Sequence, residues 1–384
     1  MKNIKLILGL FLAVFVLNSC EIDGINTDTS YINSASSANS NKIFDISTDN
    51  SGAVKITPVG EGASKFLVAF GHGTGINASA LVLPGNSVTH NYPEGSYNVT
   101  ITTYDLAGKE TVNTYPLKLT YVAPTDLKVT PDLSGYKLNL GLSAKKAMGG
   151  FLVYFGDKTN EVGTPVAGTV NSAGEVTATV SHTYATSGNF TVKVVALSGG
   201  AAQATTSQVV KIYDPYKLPV TFENEFQNYN QGGVFGGVDA AIVDNPFSGG
   251  LNTTAKVWKF TKGAGAESWA GTWTPMSAPN SVPINIDNGS KFVMLVYATE
   301  TGKALHFQLE KPSTGGGNKA IDVNIPVANQ WVELTFDFST LGIPAGTTFG
   351  QYVFQYNLAG SGTGEVIYID NIRQTNWLKL WIIN

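Results

Sequence analysis

The chain has 384 residues and a formal net charge of -4, and only 14% of its residues are charged. Arg373 is its sole arginine, so a basic patch for nucleic acid or anionic lipid is not expected and no nucleic-acid partner is predicted. One cysteine excludes an internal disulfide, and the domains must therefore be stabilised by buried apolar side chains. A composition rich in Gly, Thr, Asn, Val and Tyr predicts an all-β fold of short strands and polar turns.

Residues 1–19 have the pattern of a signal peptide, with lysines before an apolar run from Leu6 to Leu17 that is too short to span a bilayer. The run ends in Leu-Asn-Ser-Cys at 17–20, which resembles the bacterial lipobox. That resemblance implies lipidation of Cys20 and a membrane anchor. The alternative is an ordinary secretory signal that happens to contain a cysteine.

Residues 20–42 are rich in Ser, Asn and Thr and are predicted to form a flexible linker between the anchor and the globular part. Glu21 and Asp23 resemble the acidic export signal of some Gram-negative lipoproteins. The expected location is therefore the outer membrane, at the cell surface.

An internal repeat organises the next part of the chain. Val-Thr-His-Asn-Tyr at 88–92 recurs as Val-Ser-His-Thr-Tyr at 180–184, and each copy follows an alternating strand that runs into a Phe-Gly turn. The unit resembles the polycystic-kidney-disease (PKD) repeat, an immunoglobulin-like β-sandwich. The resemblance implies two such domains, at 43–122 and 123–214.

The histidines of the repeat do not lie at metal-ligand spacing from other His, Cys or Glu residues. His90 and His182 are therefore interpreted as structural histidines, each packed beside the tyrosine of its copy. His72 follows a turn glycine and is predicted to be exposed.

A new pattern begins after the proline-punctuated linker at 214–219. Residues 217–375 show alternating strands and no convincing amphipathic helix, and they are followed by an apolar tail at 376–384. The opening and closing strands at 220–223 and 366–372, with Glu-Ser-Trp-Ala-Gly at 267–271, resemble galactose-binding-like jelly-roll carbohydrate-binding modules. The resemblance implies a β-jelly roll whose partner is a polysaccharide.

Two tryptophans are candidates for stacking on a sugar ring. Trp269 and Trp273 lie four residues apart in a glycine-rich stretch that is predicted to form a loop presenting both rings. For Trp269 a place in the core and a role in binding remain equally open. For Trp273 binding is the preferred interpretation.

Strand alternation selects the polar candidates. In the segment 304–310, Leu305, Phe307 and Leu309 form one face, so His306, Gln308 and Glu310 must share the other. This row is either a solvated surface or a ligand-binding face. Further candidates on a neighbouring strand are Gln351, Gln355 and Asn357.

The jelly-roll resemblance also implies a structural calcium ion, held by an acidic residue near the first strand and another in the last. The matching positions are Glu223 and Asp370. A surface carboxylate and an Asp-Asn turn are the alternative.

The sequence contains no paired carboxylates on a recognisable catalytic strand, no Gly-x-Ser-x-Gly and no His-Glu-x-x-His, so catalysis is not expected. The prediction is a cell-surface lipoprotein that binds a neutral β-glucan such as laminarin and passes it to an outer-membrane glycan transport complex. The choice of glycan rests on resemblance alone. A structural or adhesive surface protein is the alternative.

Overall fold

The computed structural model describes residues 42–376, so the predicted signal peptide, Cys20, most of the linker and the tail from 377 lie outside the described residues. Within that range the chain is built from strands, and its helical segments are limited to three short 3-10 turns at Gly75–Asn77, Ile286–Asn288 and Phe338–Thr340. The predicted all-β class is confirmed. No helix in the described range is long and apolar enough to cross a membrane.

The first compact unit ends at Val122 and contains one sandwich of two antiparallel sheets. Its sheets have the orders β1-β2-β5 and β4-β3-β6-β7. Buried apolar residues such as Val54, Phe66 and Val99 fill the space between them. The strands are β1 Phe44–Ile46, β2 Ala53–Ile56, β3 Ala63–Ala69, β4 Ser79–Val82, β5 Val88–Asn91, β6 Gly95–Asp105 and β7 Glu110–Leu119.

The second compact unit begins at Ala123, and its first part is another two-sheet sandwich. Its sheets have the orders β12-β13-β9-β8 and β11-β10-β14-β15, around a core that includes Leu140, Phe151 and Val192. The strands are β8 Thr125–Ser134, β9 Lys137–Lys145, β10 Gly150–Tyr154, β11 Thr164–Val166, β12 Thr169–Val170, β13 Glu175–Thr183, β14 Gly188–Leu197 and β15 Gln203–Ile212.

The last part of the chain forms a larger sandwich with its own core, which includes Phe260, Phe307 and Phe354. One sheet has the order β16-β19-β25-β22-β23 with β20 attached to β25, and the other has the order β17-β18-β26-β21-β24. The strands are β16 Gly233–Phe235, β17 Val238–Asp244, β18 Lys256–Lys262, β19 Gly271–Pro275, β20 Ile284–Asn285, β21 Lys291–Ala298, β22 Ala304–Pro312, β23 Lys319–Asn324, β24 Trp331–Asp337, β25 Thr348–Tyr356 and β26 Glu365–Thr375.

The repeated motif builds the same corner in both small sandwiches. The Tyr92 hydroxyl donates to the Phe70 carbonyl at 3.1 Å, and the Tyr184 hydroxyl donates to the Phe155 carbonyl at 3.0 Å. The motif histidines stack on the same phenylalanines, with ring centroids 4.1 Å apart in the first copy and 4.2 Å apart in the second. The imidazoles therefore pack beside the tyrosines of their own copies.

The glycine of each Phe-Gly turn is required by close backbone contact. Gly71 and Gly156 both have positive φ, at 67° and 77°. A Cβ atom would lie 2.3 Å from the Asn98 carbonyl oxygen in the first copy and 2.5 Å from that of Thr191 in the second. Only glycine combines this conformation with this approach.

The exposed position predicted for His72 is wrong. His72 is partly buried, and its Nδ1 lies 3.0 Å from Nε2 of His90. In the second copy Asp157 takes this place, 2.7 Å from Nε2 of His182. In both copies the side chain of the residue after the turn glycine contacts the histidine of the repeat motif. The sequence pattern did not reveal this contact.

Candidate functional site

Most of the predicted polar and aromatic residues lie on one sheet of the last sandwich. On β22, His306 pairs with Gln355 of β25 and Glu310 pairs with Gln351. Val353, which pairs with Gln308, pairs on its other side with Trp273 of β19. Directly paired residues point to the same side of a sheet, so one face carries all of these side chains. We call it the polar-aromatic face; it includes Trp273, His306, Gln308, Glu310, Gln351 and Gln355.

The alternate residues of these strands form the core. Leu305, Phe307 and Leu309 are fully buried and pack against the second sheet of the sandwich. This packing prevents β22 from shifting by one residue, because such a shift would bury the polar row. The core thus determines the direction in which the polar side chains point.

A continuous series of hydrogen bonds crosses the polar-aromatic face. Nδ1 of His306 lies 2.9 Å from Oδ1 of Asp322 on β23, and its Nε2 lies 3.4 Å from Oε1 of Gln308. Gln308 in turn donates to Glu310, which also accepts from the Gln351 side chain at 2.6 Å. His306 and Gln351 are only 9% and 8% exposed. The row is therefore a positioned network of donors and acceptors.

Trp269 lies at the edge of this face and is 53% exposed, so its alternative place in the core is wrong. Its indole stacks on Phe235 of β16, with ring centroids 6.0 Å apart and an interplanar angle of 13°. The Gln355 side-chain amide donates to the Trp269 carbonyl at 2.5 Å, which ties this segment to the polar row. The two rings form an accessible apolar surface.

Trp273 lies in strand β19, so its predicted position in a loop is wrong. Strand β19 pairs with β16 on one side and β25 on the other, and this double pairing keeps the segment extended despite its glycine-rich surroundings. The ring is half-buried and lies against Gly233. Trp273 thus reaches the same face as Trp269 from the sheet itself.

Three glycines make room for the rings. A Cβ at Gly233 would lie 2.8 Å from Nε1 of Trp273, and one at Gly271 would lie 2.8 Å from Cζ of Phe235. A Cβ at Gly236 would lie 3.1 Å from the Trp269 ring. The glycine content of this region therefore allows the aromatic rings to approach the backbone closely.

Sequence reasoning missed two members of this face and added one wrongly. Phe235 lies in a strand of only three residues, too short for an alternation signal. Asp322 lies on the edge strand β23 and pairs with His306 of β22. This pairing depends on the register between the two strands, which the sequence does not show. Asn357 follows the end of β25 with a φ of 52°, and its side chain donates to Glu365 instead of extending the row.

A buried lysine holds the segment that carries Trp269. Lys262 is 0% exposed, and its Nζ donates to the carbonyl of Ser268 at 3.1 Å and to those of Tyr356, Asn357 and Gly360 at 3.0, 2.8 and 2.8 Å. Burial lowers the pKa of Lys262, and the nearby Glu365 opposes this shift. An ammonium group has three N–H donors, and these four carbonyl oxygens can satisfy all of them although the group is buried.

Glu365 completes this buried polar group. Burial acts to raise its pKa, but hydrogen bonds from the Thr363 backbone and the Lys303 side chain lower the pKa of Glu365 to about 2. Lys303 Nζ lies 3.0 Å from the Glu365 carboxylate. Lys262 thus has an acidic neighbour, Glu365, that is ionised at neutral pH.

The two residues proposed for calcium lie near each other at one side of this sandwich. Asp370 is 0% exposed and accepts from the side chains of Asn252 at 2.9 Å and Thr254 at 2.6 Å. Burial raises the pKa of Asp370, and the charge of Glu223 contributes in the same direction. Within the described range no lysine or arginine forms a salt bridge with Asp370. The buried Asp370 carboxylate, with Glu223 nearby, could therefore bind a cation. Among residues 42–376, however, no group of three or more His, Cys, Asp or Glu side chains is positioned to hold a metal ion.

No family model matches the chain, and no curated protein matches it. Similar solved structures include the family 11 carbohydrate-binding module of a cellulosomal cellulase of Clostridium thermocellum, with 12% identity and a TM-score of 0.30 over 42% of this chain and 96% of that one. SGBP-B from a complex xyloglucan utilisation locus in Bacteroides uniformis matches with 12% identity and a TM-score of 0.27 over 86% of this chain and 96% of that one. A carbohydrate-binding module specific for non-crystalline cellulose, CBM28, matches with 13% identity and a TM-score of 0.30 over 43% and 97%. These scores are too low to assign a function.

Proposed function

We propose that the last sandwich binds a polysaccharide on its polar-aromatic face, without catalysis. The observation that supports this proposal is the alignment of two kinds of group on one sheet. The exposed ring of Trp269 and the half-buried rings of Phe235 and Trp273 adjoin a hydrogen-bonded row of amide, imidazole and carboxylate groups.

This combination matches the two surfaces of a sugar. The C–H groups of a pyranose ring pack on an aromatic plane, while its hydroxyls both donate and accept hydrogen bonds. Burying about 100 Å² of each ring at about 25 cal/mol per Å² stabilises the complex by about 2.5 kcal/mol before ordering costs are counted. Two such rings are consistent with affinities from micromolar to millimolar.

The charges on the face favour a neutral polysaccharide. Glu310 and Asp322 both stand in the polar row, where carboxylates accept hydroxyl hydrogens but repel uronate or sulfate groups. These charges support a neutral polysaccharide, and we propose a neutral β-glucan such as laminarin from the sequence resemblance to carbohydrate-binding modules.

The test is calorimetric titration of the protein with laminarin and a panel of other neutral and acidic polysaccharides. Trp269→Ala and Trp273→Ala should each weaken binding by about thirtyfold, which corresponds to roughly 2 kcal/mol. Tyr104→Ala is the matched control, because Tyr104 is a surface ring of the first sandwich. Wild-type protein that binds none of the polysaccharides, or release of reducing ends from them, would contradict the proposal.

We also propose that Cys20 carries the lipid anchor that holds the protein on the outer membrane at the cell surface, next to a glycan transport complex. The support is the lipobox-like sequence before Cys20. Cys20→Ala should move the protein out of the membrane fraction. Continued partitioning with membranes after a high-salt wash would show that another feature holds it there.

A structural calcium ion at Asp370 and Glu223 is a further proposal, supported by the burial of the Asp370 carboxylate without a lysine or arginine partner among residues 42–376. The ion would neutralise the two carboxylates. Thermal melts should show a higher Tm in calcium than in EDTA, and Asp370→Asn should remove the difference. Equal melting temperatures in the two conditions would exclude the ion.

A further inference from the structure

A cavity of about 190 Å³ lies within the second compact unit, where the second sandwich meets the last one. Loops and strand ends of both sandwiches contribute side chains to it. The second sandwich and the segment after it supply Leu133, Gly135, Tyr213 and Asp214, and the last sandwich supplies Asn228, Gln231 and Asn280.

Hydrogen bonds across the junction hold the walls of this cavity in place. Across the junction, the Gly135 backbone N–H donates to the Asn280 side chain at 2.7 Å. On the side of the second sandwich, the Tyr136 hydroxyl donates to Asp214 at 2.8 Å. Asp214 also accepts from the Asn224 side chain at 3.3 Å. Gly135 has a φ of 58°, and a Cβ there would lie 3.0 Å from the Pro279 carbonyl oxygen. The two sandwiches therefore meet through specific contacts.

The cavity has the same chemistry as the polar-aromatic face. Tyr213 supplies an aromatic ring, and three side-chain amides supply groups that can both donate and accept hydrogen bonds. Burial acts to raise the pKa of Asp214, but hydrogen bonds from Tyr136 and its other neighbours lower it overall. The carboxylate is thus ionised at neutral pH and favours hydroxyl groups over anionic ones.

The cavity also adjoins the polar-aromatic face. The side chain of Gln231 donates to the Pro275 carbonyl at 3.3 Å, and Pro275 pairs with Gln351 of the polar row. Two residues after Gln231, Gly233 lies against the ring of Trp273. One short segment therefore borders both sites.

We propose that this cavity is a second sugar subsite, which takes another pyranose residue of the same neutral polysaccharide that occupies the polar-aromatic face. The inference rests on the proposed function. It gives the second sandwich a direct part in binding.

The test compares the affinities of the full chain for laminarin polymer and for short laminari-oligosaccharides. Tyr213→Ala and, as a second variant, Gln231→Ala should weaken binding of the polymer by about tenfold and leave binding of the shortest bound oligosaccharide unchanged. Tyr154→Ala is the matched control, because Tyr154 is also a tyrosine of the second sandwich with a lysine over its ring, but it does not line the cavity.

The outcomes separate the two proposals. If both cavity variants bind the polymer like wild type while Trp273→Ala does not, the subsite is wrong and the proposed function stands. An equal loss for short and long ligands would also overturn the subsite, since it would indicate a distorted sheet face. If the wild-type chain binds no β-glucan of any length, the proposed function itself fails.

Discussion

Gly233 controls the position of the Trp273 ring. The indole lies over the glycine on the neighbouring strand, where a methyl group would stand 2.8 Å from its Nε1. The ring is half-buried, so it has room to move outward when it is displaced. The absence of a side chain at Gly233 thus allows the indole of Trp273 to pack closely against the backbone of β16.

Gly233→Ala should therefore weaken β-glucan binding by about tenfold, with less than about 1 kcal/mol lost in unfolding free energy. Calorimetry and denaturant melts measure the two quantities. Gly315→Ala is the matched control, because a Cβ at Gly315 meets no atom within 4 Å. Equal affinity of Gly233→Ala and wild type would show that the ring does not contact the ligand.

The stability of the first sandwich is expected to depend on pH through the neighbouring histidines His72 and His90. Burial lowers the pKa of His90 below its ordinary value of 6.5, and the charge of His72 lowers it further. The rings of Tyr92 and Tyr97 complete the surroundings. Because the unfolded chain binds the proton more readily, protonation of His90 does not affect stability well above pH 6.5, and it destabilises the fold as the pH falls below that value.

His72→Asp should reduce this loss, since it places a carboxylate beside His90 as Asp157 lies beside His182. Thermal melts of both proteins at about pH 7.5 and about pH 5 measure the effect. The reciprocal variant Asp157→His should make the second sandwich more sensitive to acid. An unchanged acid shift in His72→Asp would mean that His90 is not responsible.

The segment 263–270 connects β18 to β19 and carries Trp269. Lys262, at the end of β18, donates a hydrogen bond to the Ser268 carbonyl of this segment. It also donates to the carbonyls of Asn357 and Gly360 in the turn after β25. The position of the exposed indole thus depends on a buried ammonium group behind it.

Lys262→Ala should lower the unfolding free energy by about 1–3 kcal/mol, because buried carbonyls lose their donor. It should also weaken β-glucan binding through displacement of Trp269. Added methylammonium should restore both properties in part, whereas tetramethylammonium, which has no N–H group, should not. Equal effects of the two ions, or wild-type stability of the variant, would contradict this role.

The residues proposed for binding all belong to the second compact unit, which begins at Ala123. The first unit has its own core and its own two sheets. It is therefore not expected to contact the ligand.

Removal of residues 43–122 should leave the affinity for laminarin polymer within about twofold of wild type. Titration of the truncated chain measures this directly. A loss as large as that of Trp273→Ala would show that the first sandwich also contacts the ligand.

Local alternation was sufficient to predict much of this architecture. The segment 304–310 was predicted as a strand with His306, Gln308 and Glu310 on one face, and the structure has β22 at Ala304–Pro312 with Leu305, Phe307 and Leu309 in the core. This worked because a strand alternates with a period of two residues and only one arrangement buries its leucines.

The all-β class, the repeated sandwich motif and most residues of the polar-aromatic face could be predicted from the amino-acid sequence alone. These depend on contacts between near neighbours in the chain. Only the tertiary structure placed Trp273 in a strand, brought Phe235 and Asp322 to the face, and put Lys262 behind Trp269. Those positions depend on strand register and on contacts between distant segments, and no local pattern encodes which distant segment will supply the partner.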